Sequence, residues 1–321
     1  MANWQYTKGL HDLGNGSYAY LQPDGTWGWS NAGLIVDNGE TLLVDTLMDL
    51  AHTQTMLDAM HAAVPASKRI GTLVNTHSNP DHIFGNQLIA GATIIASAAC
   101  ADEFASVSPA ALAGTEARWD ELGEAGAFFH ATMGQRFDFA GITLTPPTQT
   151  FDRDYELHVG SKRVVLKNVG PAHTAGDVIV HVPEDRTVFT GDILFNHGHP
   201  IIWAGPVANW IAACDFILDL DVETVVPGHG PITDKSDVRE MRDYFIYIEA
   251  ESRKRYAAGI GYEEAANDID LGRFDGWTDE ERIVANVRAL YHEWGGGAGR
   301  AGDVNELFAA MQRYRLNHAH P

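Results

Sequence analysis

Short apolar runs separated by turn residues dominate the first part of the chain. Tyr18–Leu21, Ala32–Val36 and Thr41–Asp45 each have strand length, and Asp37-Asn38-Gly39 between the last two is a hairpin signal. The pattern changes at Ala51–Val64, where Met56, Leu57, Met60 and Ala63 fall on one face of a helix. Ile70–Val74 reads as a buried strand, Ile83–Ala90 as the start of a helix and Ala92–Ala96 as a further strand. Residues 98–138 are Ala-rich and predict two or three helices. Ile142–Leu144, Tyr155–Val159, Arg163–Val169, Val178–Val182 and Thr187–Thr190 predict strands. A helix over Trp210–Leu218 and a last strand over Glu223–Val226 follow. From Asp237 the chain turns helical: Val238–Ala257, Tyr262–Asn267, Asp279–Trp294 and Val304–Leu316, with Gly295-Gly296-Gly297 between the last two. Such alternation implies an α/β fold in which sheet layers are covered by helices.

The polar residues that interrupt this pattern carry the chemistry. Thr76-His77-Ser78-Asn79-Pro80-Asp81-His82 follows a strand and packs two imidazoles and a carboxylate into six residues. Imidazole nitrogen and carboxylate oxygen are the usual ligands of zinc and other divalent first-row metals. His173 lies in Gly170-Pro171-Ala172-His173, Asp192 in Phe189-Thr190-Gly191-Asp192, and His229 in Pro227-Gly228-His229-Gly230. Each follows a short apolar run or sits in a Gly/Pro turn, so all can converge on one sheet edge. Other histidines read as structural: His52 and His61 on the first helix, His130 in the Ala-rich stretch, His158 and His181 in strands, and His292, His318 and His320 near the end. His197 and His199 are loop residues, ranked low as substrate or secondary metal contacts.

The order of these segments over residues 15 to 235 resembles the metallo-β-lactamase superfamily, whose signature is a His-x-His-x-Asp-His turn followed by a His, an Asp and a final His. Asn79 stands where that pattern has its second His. The resemblance implies a four-layer αββα sandwich: a catalytic domain over 1–235, with 98–138 as a helical insertion and possible substrate lid, and a helical extension over 236–321 packed on it. It also implies that His77, Asn79 and His173 hold one metal, that Asp81, His82 and His229 hold another, and that Asp192 bridges them. An amide oxygen is a weak zinc ligand beside imidazole. The expected result is one tight zinc at Asp81, His82, Asp192 and His229 and a weak or empty first site, with iron or manganese as other metals the ligands accept. Asp45 is expected to brace the site from behind. Trp27 and Trp29 are candidates for an apolar substrate wall, with edge packing an equal alternative.

Composition narrows the partners. Lys and Arg number 22 against 43 Asp and Glu, a formal net charge of −21. That field repels phosphate backbones and anionic membrane surfaces, so neither a nucleic acid nor a membrane is an expected partner. No apolar run reaches the roughly 20 residues of a membrane span. The first residues, Met1-Ala2-Asn3-Trp4-Gln5-Tyr6, lack the basic-then-apolar order of a signal peptide. Cys100 and Cys214 form no CxxC pair and read as reduced buried thiols. A cytoplasmic protein is therefore expected, with a homodimer as the default assembly.

The expected activity is that of a metal-dependent hydrolase acting on a small-molecule ester, lactone, amide or thioester, or dehalogenating an activated aromatic. A divalent ion would lower the pKa of its water and hold hydroxide as nucleophile, Asp81 would accept a proton, and His77 and Asn79 would act on the substrate. A mononuclear iron oxidoreductase and a non-catalytic metal-binding protein are the alternatives.

Overall fold

The computed structural model describes residues 4–297, 299 and 301–318. Met1–Asn3, on which part of the signal-peptide reading rests, and His320 lie outside the described residues.

Seven strands form the first sheet: β1 (Gly9–Gly14), β2 (Ser17–Leu21), β3 (Ala32–Asp37), β4 (Glu40–Val44), β5 (Thr72–Val74), β6 (Thr93–Ser97) and β7 (Gln149–Phe151), side by side in that order. β1 to β4 run as an antiparallel meander, and β4 to β7 pair in parallel. The second sheet takes β8 (Asp154–Val159), β9 (Lys162–Asn168), β10 (Val178–Val182), β11 (Thr187–Phe189) and β12 (Thr224–Val226) in order, antiparallel except for β11 and β12.

Strand periodicity separates the layers. Ile35, Leu42, Val44, Val74 and Ile95 point toward Val164, Leu166, Val180 and Phe189 of the other sheet, forming the core between the sheets. Their neighbours Leu34, Leu43, Leu73 and Ile94 point the opposite way, onto Met56, Leu57 and Met60 of α1 (Leu50–Ala63). Successive strand residues face opposite sides, so strands apolar at every position are buried on both faces. The outer face of the second sheet, through Ile179, Val188 and Val225, joins the largest apolar cluster. That cluster includes Trp210 and Ile217 of α6 (Val207–Asp219) and Val238, Met241 and Phe245 of α7 (Lys235–Ala257). The result is the expected αββα sandwich with C-terminal helices.

Between β5 and α6 the helices are α2 (Pro80–Ile83), α3 (Ala98–Glu103), α4 (Pro109–Glu116) and α5 (Gly123–Phe129), the last running into a π-helical turn at His130–Gly134. After α7 come α8 (Tyr262–Asp268), α9 (Arg282–Trp294) and α10 (Val304–His318), with α10 packed on α5. No described helix is long and apolar enough to cross a membrane.

Three expectations need correcting. The helix expected over Ile83–Ala90 is only the single turn of α2 followed by a 3-10 turn at Asn86–Leu88, because Pro80 starts the helix early and Gly85 packs against Thr53. Ile142–Leu144 forms no strand; β7, which begins five residues after Leu144, pairs instead with β6. β1, half polar, was not anticipated.

Gly33 is fixed by packing between the sheets, since a Cβ there would run into the ring of Phe189. Gly33→Ala is expected to lower stability by about 1–3 kcal/mol as an overpacking substitution. Chemical denaturation measures it, and Phe189→Leu in the same chain should recover part of the loss.

Candidate metal centre

All the ligand candidates come from strand ends on one side of the sandwich. Asp45 follows β4, residues 76–82 follow β5, Asp192 follows β11, His229 follows β12, and His173 lies between β9 and β10. The parallel pairs β4/β5 and β11/β12 point their C-terminal ends at this edge. Gly191 and Gly228 let the two sheets' turns approach. Gly191 has φ of 51° and accepts at its carbonyl from Gly228 N at 2.9 Å, and a Cβ on Gly228 would occupy the place of the Asp192 carboxylate.

The structure brings six of the seven predicted residues into one buried cluster and sets the seventh, Asn79, against it. His82 Nε2 lies 3.1 Å from Asp192 Oδ1, and His173 Nε2 and His77 Nε2 lie 3.3 and 3.6 Å from Asp192 Oδ2. His229 Nε2 is 3.2 Å from Asp81 Oδ2 and 3.5 Å from Asp192 Oδ2. Two overlapping triads have donor atoms mutually within 4.8 Å: His77, His82 and Asp192, and Asp81, His82 and His229.

The opposite ring nitrogens are held by the scaffold, which leaves Nε2 to face inward. His173 Nδ1 lies 2.7 Å from the Ile201 carbonyl and His229 Nδ1 lies 3.0 Å from that of Gly25. His82 Nδ1 is 2.9 Å from Asp45 Oδ2, as expected of Asp45, which also accepts from Thr76 N and Thr76 Oγ1 at 2.7 Å each. Asn79 differs from its expected role. Its amide nitrogen, not its oxygen, faces His173 Nε2 at 2.8 Å. With Nδ1 of His173 donating to Ile201, Nε2 carries the lone pair and the amide donates to it.

Electrostatics divide the histidines. Burial holds the His77 imidazole well below its ordinary pKa, with the neighbouring His82 adding to the effect and Asp192 opposing it. Burial likewise pulls His173 down to about 4. At His82 and His229 burial is outweighed by carboxylates. Asp192, Asp81 and Asp45 push His82 well above the usual range, and Asp192 and Asp81 raise His229 to about 9. Asp81 is buried too, yet His82 and His229 bring it down to about 2.

The donor set fits a divalent metal. His77 Nε2, His82 Nε2 and Asp192 Oδ1 are buried without a hydrogen-bond partner, which is costly unless something else occupies them. Three unsatisfied ligand atoms directed at each other satisfy the chemistry of an N/O metal site.

Above the cluster lies a cavity of about 300 Å³. Asn79, Asp81, His173, Asp192 and His229 form its floor. Its walls are largely apolar, from Trp27, Met48, Phe129 and Met133, closed by Phe308 of α10. Trp27 is therefore a wall residue, while Trp29 packs on His52 and Phe137. His130 pairs with Glu116 and stacks on Trp119, away from the cavity. His199 is buried against Tyr244 and His197 is exposed, so neither joins the cluster.

Sequence reading missed Arg282. It is 2 % exposed, lies 4.4 Å above the Trp27 ring and 5.1 Å above that of Phe195, and Phe195 stacks on His229 with ring centroids 5.0 Å apart. The preceding Glu281 accepts from Trp27 Nε1 at 2.9 Å. No local pattern signals these contacts, because Arg282 and Glu281 lie more than 80 residues from the aromatic rings they meet.

A two-sheet sandwich with a buried His/Asp cluster at the strand ends defines an α/β scaffold able to hold a metal ion at one edge. The chain belongs to the metallo-beta-lactamase superfamily, whose family model matches residues 25–229. A beta-lactamase-like protein 2 homolog from Caenorhabditis elegans is 32% identical over 76 residues, 24% of either chain. The stereoselective inverting sec-alkylsulfatase Pisa1 from Pseudomonas sp. shares the fold with a TM-score of 0.66 and 17% identity, covering 89% of this chain and 50% of that one. A metallo-beta-lactamase from Pontibacter korlensis gives 0.55 and 17%, covering 75% and 99%. The chain thus matches a quarter of the length of the curated relative and half that of the alkylsulfatase.

His82→Ala and Asp192→Ala are each expected to abolish metal binding, and Asp45→Asn to weaken it by about 10–100-fold while the ligands stay in place. Chelator competition on the purified variants measures both. Full metal occupancy in either alanine variant would remove that residue from the centre.

Proposed function

We propose that this chain is a zinc-dependent hydrolase of a small molecule, cleaving an ester, lactone, amide or thioester bond next to a bulky apolar group. The supporting observation is the position of the metal-competent cluster, at the floor of a cavity with mostly apolar walls. Such a cavity takes an apolar group, and the few polar side chains at its floor set the position of the reacting bond.

His77, His82, Asp192, Asp81 and His229 would hold a divalent metal, which would supply Lewis acidity and draw the pKa of a water toward neutrality. The chain's own groups do the rest. Asp81, the most exposed of the cluster's carboxylates at 8 %, takes the proton shed as water adds to the carbonyl carbon. Asn79 Nδ2, on the cavity floor, turns from His173 to donate to the carbonyl oxygen as negative charge builds there. The bond to the leaving group then breaks, and the proton held by Asp81 passes to the departing atom, giving an acid and an alcohol, amine or thiol. Apolar walls exclude competing water.

Asn79 holding His173 supports a single tight metal. Elemental analysis is expected to give about one zinc per chain, whereas a complete dinuclear His/Asp set would give about two. Asn79→His is expected to raise the ratio, and unchanged metal content would place Asn79 outside the centre. Iron in the purified protein would favour an oxidoreductase of the same fold instead.

Activity is expected on aryl and alkyl esters with large apolar acyl groups and to be lost on chelation. A secondary alkyl sulfate belongs in the same assay, because Arg282 lies on the cavity wall and the alkylsulfatase shares the fold. No turnover across the panel by zinc-loaded protein would overturn the hydrolase reading.

A further inference from the structure

Residues 199–202 belong to no helix or strand, yet His173 depends on them. The Ile201 carbonyl lies 2.7 Å from His173 Nδ1. Just beyond it, Trp203 N and Ala204 N both donate to the His173 carbonyl, at 3.0 and 3.1 Å, and Gly205 N donates to that of Ala172 at 2.9 Å. One loop therefore grips both the ring and the main chain of this histidine. A buried backbone without sheet neighbours must find its hydrogen-bond partners elsewhere. Here they come from the C-terminal extension: His199 N donates to the Thr278 carbonyl, and Arg282 Nη1 donates to that of His199, both at 2.9 Å.

Asn286 of α9 completes this clamp and is fully buried. Its Oδ1 accepts from Ile202 N at 3.0 Å. Its Nδ2 donates to the Pro200 carbonyl at 2.9 Å and to Tyr244 Oη of α7 at 3.0 Å. The oxygen and both hydrogens of the amide are thereby used, and the donor at Ile202 fixes which end is oxygen. An amide that takes Pro200 O and Ile202 N together holds them on one side of the chain. The Ile201 carbonyl between them belongs to neither bond and is left for His173.

We propose that Asn286 is a positioning residue for the candidate centre: by fixing the backbone on either side of Ile201 it aims that carbonyl at His173 Nδ1. The ring so held presents Nε2 to Asn79 Nδ2 at 2.8 Å and to Asp192 Oδ2 at 3.3 Å. Asn79 thus rests against a fixed acceptor before it turns to the substrate carbonyl. The hydrolase reading enters only through that last step, and the placement of the ring is independent of it.

The first arm of the test uses metal-free protein and no substrate. The His173 Nδ1 proton is followed by NMR, assigned by its loss in His173→Gln, and its exchange with water is measured. The indole proton of Trp210, buried and donated to the Ile193 carbonyl at 2.9 Å, reports general opening in the same sample. Asn286→Ala is expected to speed His173 exchange at least tenfold relative to Trp210. Asn286→Ser, whose single hydroxyl cannot bridge both backbone groups, should do so less and serves if the alanine variant does not fold. Val287→Ala removes buried methyl groups from the same helix, so it should speed both protons alike. A His173 to Trp210 ratio unchanged in the Asn286 variants, or moved equally by Val287→Ala, overturns the proposal.

The second arm takes the best ester substrate and the zinc-loaded protein. Asn286→Ala should lower kcat at least tenfold with KM and zinc content close to the unsubstituted values, because His173 lies outside the tight ligand set. Faster ring-proton exchange with unchanged kcat would overturn the role in turnover while keeping the positioning of the ring. Faster exchange in a protein that hydrolyses no ester would support the positioning of the ring and remove the hydrolase reading alone.

Discussion

Four imidazoles and three carboxylates share one buried volume here, each between 0 and 8 % exposed. That constraint governs the rest of the molecule. Isolated charges removed from water are costly, and removing one partner of a buried pair costs about 3–5 kcal/mol because the other stays uncompensated. Asp45, Asp81 and Asp192 together are tolerable only against positive charge. Protons on His82 and His229 can provide it, which is why their pKa values rise. A divalent metal provides it more fully, because it also occupies the ligand atoms that protonation leaves without acceptors. The low pKa of His77 fits the same picture, since a neutral imidazole is ready to ligate.

The fold supplies this cluster by ending strands together. β4, β5, β11 and β12 are buried on both faces, so their register is fixed by core packing and each following turn starts from a rigid point. Close approach of the turns needs residues without side chains, and Gly191 and Gly228 provide it where a Cβ would run into Thr76 and Asp192 respectively. Backbone carbonyls of Gly25 and Ile201 then orient the rings of His229 and His173. Ligand geometry is thereby set by elements that fold for other reasons.

Much of this was legible in the chain. Short continuous apolar runs and the Asp37-Asn38-Gly39 turn located most of the strands, because burial on both faces leaves a strong local signal. The ligand-bearing turns stood out since a strand ending in His, Asp and Gly is hard to explain by packing alone. Less legible was anything decided by tertiary partners. β1 carries His11 and Asp12 and pairs as an edge, and β7 is three residues long, so neither has a periodic signature. The sequence marked Asn79 as a departure but not that its amide turns its nitrogen toward His173. That orientation follows from the Ile201 carbonyl, more than 100 residues away.

The sequence marks the C-terminal helices as an extension packed on the sandwich, and their contacts reach the ligand cluster itself. Arg282, at the start of α9, places its guanidinium over Phe195, whose ring lies parallel to His229 within 9°. Glu281 holds the indole of Trp27, two residues from the Gly25 carbonyl that orients the same histidine. His229 is thus fixed from two sides by one turn of the extension. Phe308 of α10 meets Phe128 of α5 with ring centroids 5.1 Å apart and closes the cavity above the metal ligands. A change in these helices therefore alters cavity shape and ligand position together. Cavity shape and the position of His229 are mechanically linked in this chain, and the helices beyond residue 235 are the elements that link them.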